Sequence, residues 1–80
     1  MKARIIVMPK KTVLDPQGKT VKNALESMGF KGIKDVRIGK FIEVELTGSD
    51  RAALQKKMDG ACRELLSNPV IEEYTIEISH

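Results

Sequence analysis

Hydrophobic and polar positions change period along the chain, and the changes mark out its elements. Residues 3–9 alternate like a strand: Ile5 and Val7 point to one face, and Arg4, Ile6 and Met8 to the other. Apolar side chains on both faces suit a central strand. After Pro9 and Lys10-Lys11 the period becomes helical, with Val21, Ala24, Leu25 and Met28 at offsets of three, four and seven. Asp15 suits the N-cap of that helix, Pro16 its first position and Gly29 its left-handed stop, which predicts a helix over 16–28. Alternation returns at 33–38, where Val36 and Ile38 oppose Asp35 and Arg37. Gly39-Lys40 reads as a hairpin tip. In 41–47, Ile42, Val44 and Leu46 then oppose Phe41, Glu43 and Glu45. Ser49 or Asp50 caps a second helix carrying Leu54, Met58, Ala61, Cys62 and Leu65 on one stripe and running to about Ser67. Gly60 inside it costs about 1 kcal/mol relative to Ala and is expected at a close-packing position. Asn68-Pro69 stops this helix, because the residue before proline is pushed out of the α region. A last strand covers 70–78, with Tyr74, Ile76 and Ile78 against Glu73, Thr75 and Glu77.

The order is βαββαβ in one domain, residues 1–80. Right-handed crossovers turn that order into an α+β, ferredoxin-like fold: a four-stranded antiparallel sheet with both helices on one face and strands one and three at its centre. The uncovered face is expected to carry Ile6, Met8, Phe41 and Ile71 among Arg4, Arg37, Glu43, Glu45, Thr75 and Glu77. Eighty residues and three aromatics leave a modest, aliphatic core. Small domains of this kind commonly gain buried area by association, here through the uncovered face or a sheet edge.

Charge and cysteine content narrow the function classes. A formal net charge of +3 with both signs interspersed is mild for a nucleic-acid module. RNA-binding domains of this topology stack bases on exposed sheet aromatics, whereas the corresponding stretches here offer one phenylalanine and two glutamates that repel phosphates. One cysteine excludes an intrachain disulfide. There is no apolar h-region of a signal peptide and no run of ~20 apolar residues, so the expectation is a cytoplasmic chain without a membrane partner.

The search for chemistry yields no catalytic residue. The one histidine, His80, is terminal, and Cys62 sits on an apolar stripe, where a thiol acts as a small hydrophobe. One Cys and one terminal His cannot close a zinc site. Carboxylate pairs stand at Glu43/Glu45 and Glu72/Glu73; Glu43 and Glu45 share one strand face and read as solvated, and no apolar pocket is visible to raise a carboxyl pKa. Asp15-Pro16-Gln17-Gly18 opens a helix beside Lys19 and Lys22, but the aspartate already occupies the place an anion would take. Asp15, Pro16, Gly18, Gly39, Asn68 and Pro69 therefore read as structural corner residues. Gln17, Arg37 and Lys40 are the candidates for binding a partner. Gln17 stands in a helical turn where many residues would serve, and Arg37 and Lys40 at the hairpin tip can reach acidic groups, Arg37 in bidentate fashion. A small-molecule-binding regulatory domain of ferredoxin-like fold remains an alternative.

Three segments, Val13-Leu14-Asp15-Pro16-Gln17-Gly18, Val36-Arg37-Ile38-Gly39-Lys40 and Asn68-Pro69-Val70-Ile71-Glu72-Glu73-Tyr74, occur in this order around Ala24-Leu25-Glu26-Ser27-Met28-Gly29-Phe30 and Cys62-Arg63-Glu64-Leu65-Leu66. Together they resemble the PurS family, the small subunits of phosphoribosylformylglycinamidine (FGAM) synthase, over nearly the whole chain. The resemblance implies a ferredoxin-like fold and a non-catalytic role in the fourth step of purine biosynthesis. It also implies homodimers or dimers of dimers, and two partners: the synthetase PurL, which uses ATP and magnesium, and the glutaminase PurQ, which releases ammonia. No cofactor of its own is implied, since ATP and Mg are expected on the large partner subunit.

Overall fold

The computed structural model describes residues 1–79. β1 (Lys2–Pro9) is followed by α1 (Pro16–Ser27), β2 (Lys40–Glu45), α2 (Arg51–Ala61), a five-residue π turn (Cys62–Leu66) and β3 (Glu72–Ser79). The fold is α+β, with two helices and an antiparallel sheet of order β2-β1-β3. β1 is the central strand. Ile5 lies opposite Ile42 on one side and Ile76 on the other, so the apolar positions of all three strands share a face.

That face makes the core. Ala3, Ile5 and Val7 are fully buried and pack with Ile78 and with Leu54, Met58 and Cys62 of α2 and its π turn. Asp50 caps α2 by accepting from the Ala53 N–H at 3.2 Å. The helix was expected to run on to about Ser67, but its last turn widens. The Ser67 N–H and Oγ–H both donate to the Cys62 carbonyl, at 2.9 and 2.8 Å, which closes the i→i+5 ring. Asn68 then organises the corner before β3. Its carbonyl accepts from Ile71 and Glu72, its side chain accepts from the Val70 N–H, and its own N–H donates to the Glu72 carboxylate at 2.7 Å. Pro69 sits in this turn, and β3 starts two residues later than the alternation of 70–78 suggested. Gly60 has open space around its Cα, so close packing does not explain it.

Two expectations fail here. Residues 33–38 are not a strand, so the described sheet has three strands rather than four, and Gly39-Lys40 is not a hairpin tip. The backbone of this segment is engaged elsewhere. The Ile38 N–H donates to the Asp15 carboxylate at 2.9 Å, and the Arg37 guanidinium donates to the Pro9 carbonyl. Gly39 is pressed against the Val7 carbonyl and the Met8 sulfur. The second failure concerns α1, which forms where its caps and periodicity put it but does not lie on the sheet beside α2. Its stripe is left open: Val21 is 38% exposed, and Met28 and the following Phe30 are 72% and 54% exposed. The molecule is accordingly elongated, 49 × 26 × 15 Å, with a radius of gyration of 16.0 Å against about 12 Å for a compact chain of this length.

The core assignment predicts a sharp contrast between the sheet faces. Ile5→Ala should lower the unfolding free energy by about 2–5 kcal/mol. Thr75→Ala, on the exposed face of β3, should change it by less than about 0.5 kcal/mol. Urea denaturation followed by circular dichroism measures both.

Candidate functional site

The features that the fold leaves unexplained converge on the corner between β1 and α1. Asp15 adopts an extended backbone, and its Oδ1 accepts from the Gly18 N–H at 3.0 Å, which caps the helix. Its Oδ2 accepts from Ile38, so one side chain starts α1 and anchors a segment more than twenty residues away. These two hydrogen bonds, Gly18 first and Ile38 second, hold the carboxyl below its ordinary value of 3.8, with a smaller contribution from the positive charge of Arg37. Pro16 occupies the first helical position. Gly18 is buried against the incoming segment, and a Cβ there would collide with the Val36 carbonyl.

The clasp folds 34–37 over the corner and encloses an open hollow of about 320 Å³. Six cations line it: Lys10 and Lys11 from the turn after β1, Lys19 and Lys22 from α1, and Lys34 and Arg37 from the clasped segment. Leu14, 78% exposed, stands among them. The two carboxylates in the lining are both engaged with backbone N–H groups, Asp15 as described and Asp35 with Val36 at 3.0 Å. Arg37 and Lys11 also line a second hollow of about 190 Å³, on the uncovered sheet face beside Ile6, Met8, Glu73 and Thr75.

The candidate residues are thus only partly brought together. Arg37 belongs to both hollows. Gln17 lies exposed in the first turn of α1 and lines neither. Lys40 begins β2, and its Nζ donates to the Leu66 carbonyl at 3.3 Å, at the end of the π turn, where a cation complements the free carbonyls. Sequence reasoning noticed the lysines at 10–11, 19 and 22 one by one. It missed Lys34 and the gathering of all of them, because only the Asp15–Ile38 clasp carries 34–37 to the helix start. His80 lies outside the described residues. Burial raises the Cys62 thiol pKa, and Asp59 raises it further, the opposite of activation. Asp59 also accepts a 2.5 Å hydrogen bond from the Tyr74 hydroxyl and pairs with Arg63 at 3.2 Å, tying β3 to α2. Among the described residues no three His, Cys, Asp or Glu side chains are placed to hold a metal ion, and no helix is long and apolar enough to cross a membrane.

A small sheet with one covered face, a helix that leaves Val21 and Met28 of its apolar stripe exposed, and a cation-lined corner are the features of a protein of association. Comparison with known proteins agrees. The family model of PurS, phosphoribosylformylglycinamidine (FGAM) synthase, matches residues 2–80, and the chain belongs to the PurS family. It is 46% identical over 79 residues to the phosphoribosylformylglycinamidine synthase subunit PurS of Bacillus subtilis, an alignment covering 96% of this chain and 90% of that one. The crystal structure of the B. subtilis PurS superposes with a TM-score of 0.88, covering 99% of this chain and 98% of the other. A chain in the structure of PurLQS from Thermotoga maritima, 36% identical, superposes with a TM-score of 0.85 over 95% of this chain and 93% of that chain.

The corner yields two predictions. Gly18→Ala should cost about 1–3 kcal/mol by overpacking, and Val36 and Ile38 should show the largest amide shift changes in ¹⁵N-HSQC spectra. The clasp also fixes a pH dependence. A carboxyl whose folded pKa is depressed contributes stability that is present above its unfolded pKa and lost as pH falls through the folded value. The Ile38 amide proton should therefore titrate with a midpoint below 3.8, and that titration should vanish in Asp15→Asn.

Proposed function

We propose that this chain is the non-catalytic assembly subunit of FGAM synthase in de novo purine biosynthesis, which brings the glutaminase PurQ and the synthetase PurL together and supports ammonia transfer between them. The observation that carries this reading is the near-complete likeness to a chain of the PurLQS structure. The physical role needs no reactive side chain. Ammonia released into solution is lost by diffusion and protonation, and a subunit that fixes the glutaminase against the synthetase raises the local ammonia concentration at the second site. ATP and magnesium act on the large partner in this scheme, and the cytoplasm is its compartment. Arg37 serves as corner brace and as a surface cation, Gln17 is free to meet a partner, and Lys40 combines its hold on the π turn with an exposed position at the start of β2.

The same reading includes a homodimer or dimer of dimers. The extended shape and the open stripe of α1 support it, because a second copy supplies the apolar surface that the chain's own sheet does not offer. The free edge of β2 can take a fourth strand in the same association, completing the ferredoxin-like sheet.

Two measurements test the proposal. Synthase activity of PurL plus PurQ should require this chain when glutamine is the nitrogen donor and not when ammonium is. Indifference to the chain with both donors would overturn the assembly role and favour a metabolite-binding regulatory domain. Val21→Glu/Met28→Glu should shift the chain to monomer in sedimentation equilibrium, and an unchanged mass would remove α1 from the self-association surface.

A further inference from the structure

We propose that the hollow at the β1–α1 corner is a docking socket for an acidic segment of another synthase subunit, one that sets carboxylates among the lysines and an apolar side chain on Leu14. This deepens the assembly reading and rests on it.

Charge is the first argument. The hollow brings six cations against two carboxylates, a local excess of four in a chain whose formal net charge is +3, so the remainder of the chain is net negative. The positive character of this protein is therefore a property of one corner. Both carboxylates there already accept backbone N–H bonds, and of the six cations only Lys22 has a carboxylate within ion-pair distance, Glu26 at 3.8 Å, among the described residues. The two carboxylates offset only part of the positive charge, and the remaining excess attracts an incoming anionic group.

Leu14 separates a protein segment from a free anion. It is 78% exposed, and Pro9, Val13 and Val36 add further apolar surface among the charged groups of the lining. A phosphate or a sugar phosphate would satisfy the lysines and leave Leu14 in water, whereas a peptide segment covers both. None of the aromatic residues, Phe30, Phe41 and Tyr74, lines this hollow, so a nucleotide would find no stacking surface for its base. The volume of about 320 Å³ lies at the small end of the range for organic-ligand clefts, which suits a few inserted side chains. Five of the six cations are lysines, flexible point charges that steer an acidic partner without demanding bidentate geometry.

The test uses the full chain with its PurL and PurQ subunits. Lys19→Glu/Lys34→Glu changes two exposed lysines whose side chains make no hydrogen bond or ion pair among the described residues, which leaves Asp15 and Arg37 to hold the corner. Lys19→Gln/Lys34→Gln is the milder companion, and Leu14→Ser removes the apolar contact. In calorimetric titrations of complex formation, the charge reversal should weaken affinity roughly tenfold or more at low salt and flatten the salt dependence. The glutamine pair should fall between it and the native chain. Leu14→Ser should weaken binding while keeping the salt dependence. Native-like circular dichroism of each variant shows that the loss is one of docking. Equal affinity of the native and charge-reversed chains overturns the socket while the assembly reading stands. So does a loss explained by a changed oligomeric state of the free chain, which would make a second copy the occupant. So does saturable binding of inorganic phosphate or AMP in the hollow with assembly unaffected. If even the native chain fails to join PurL and PurQ, the assembly reading falls and the socket falls with it.

Discussion

The architecture of the corner depends on the two oxygens of Asp15. Oδ1 satisfies an orphan N–H at the start of α1, and Oδ2 takes the N–H of Ile38. A capping aspartate ordinarily acts within its own helix turn. Here the second oxygen joins two stretches that are far apart in sequence, and the other corner contacts follow. The Val36 carbonyl comes to rest on Gly18, where only glycine leaves room, and Arg37 is brought within reach of the Pro9 carbonyl. The link from Asp15 to Ile38 thus fixes where the cations of 34–37 stand relative to those that follow β1 and those of α1.

The same link explains why the sheet stays at three strands. A backbone N–H that donates to a carboxylate cannot also donate to a ladder, and the segment that alternates like a strand is held across the helix start instead. What remains is a core of one sheet face and one helix, small even for eighty residues, with α1 standing outside it. A helix with an open apolar stripe is costly for an isolated chain and natural for one that is completed by a neighbour. The elongated shape, the cation-lined corner and the uncovered sheet face carrying Ile6 and Phe41 express one condition: this chain has more surface designed for contact than core designed for independence.

Much of this was legible in the sequence. Alternation placed β1, β2 and β3, and Asp15, Pro16, Asp50 and Pro69 marked the helix boundaries, because periodicity and capping are local properties of the chain. The resemblance of three short segments, spread over nearly the whole length, pointed to the family that the comparisons then showed. The residues of the candidate site were visible singly, as lysines beside a helix start and an arginine in an alternating run. Their convergence was not, since Val36 and Ile38 alternate as well as any strand, and nothing local says that Asp15 will compete for the Ile38 N–H. The sequence by itself determined which segments are helical or extended and which faces are apolar. The tertiary structure alone decided that 33–38 leaves the sheet, that α1 stands away from it, and that six scattered cations meet in one hollow. Each of those outcomes turns on long-range hydrogen bonds and contacts, whose partners are set by the folded chain and not by neighbours in sequence.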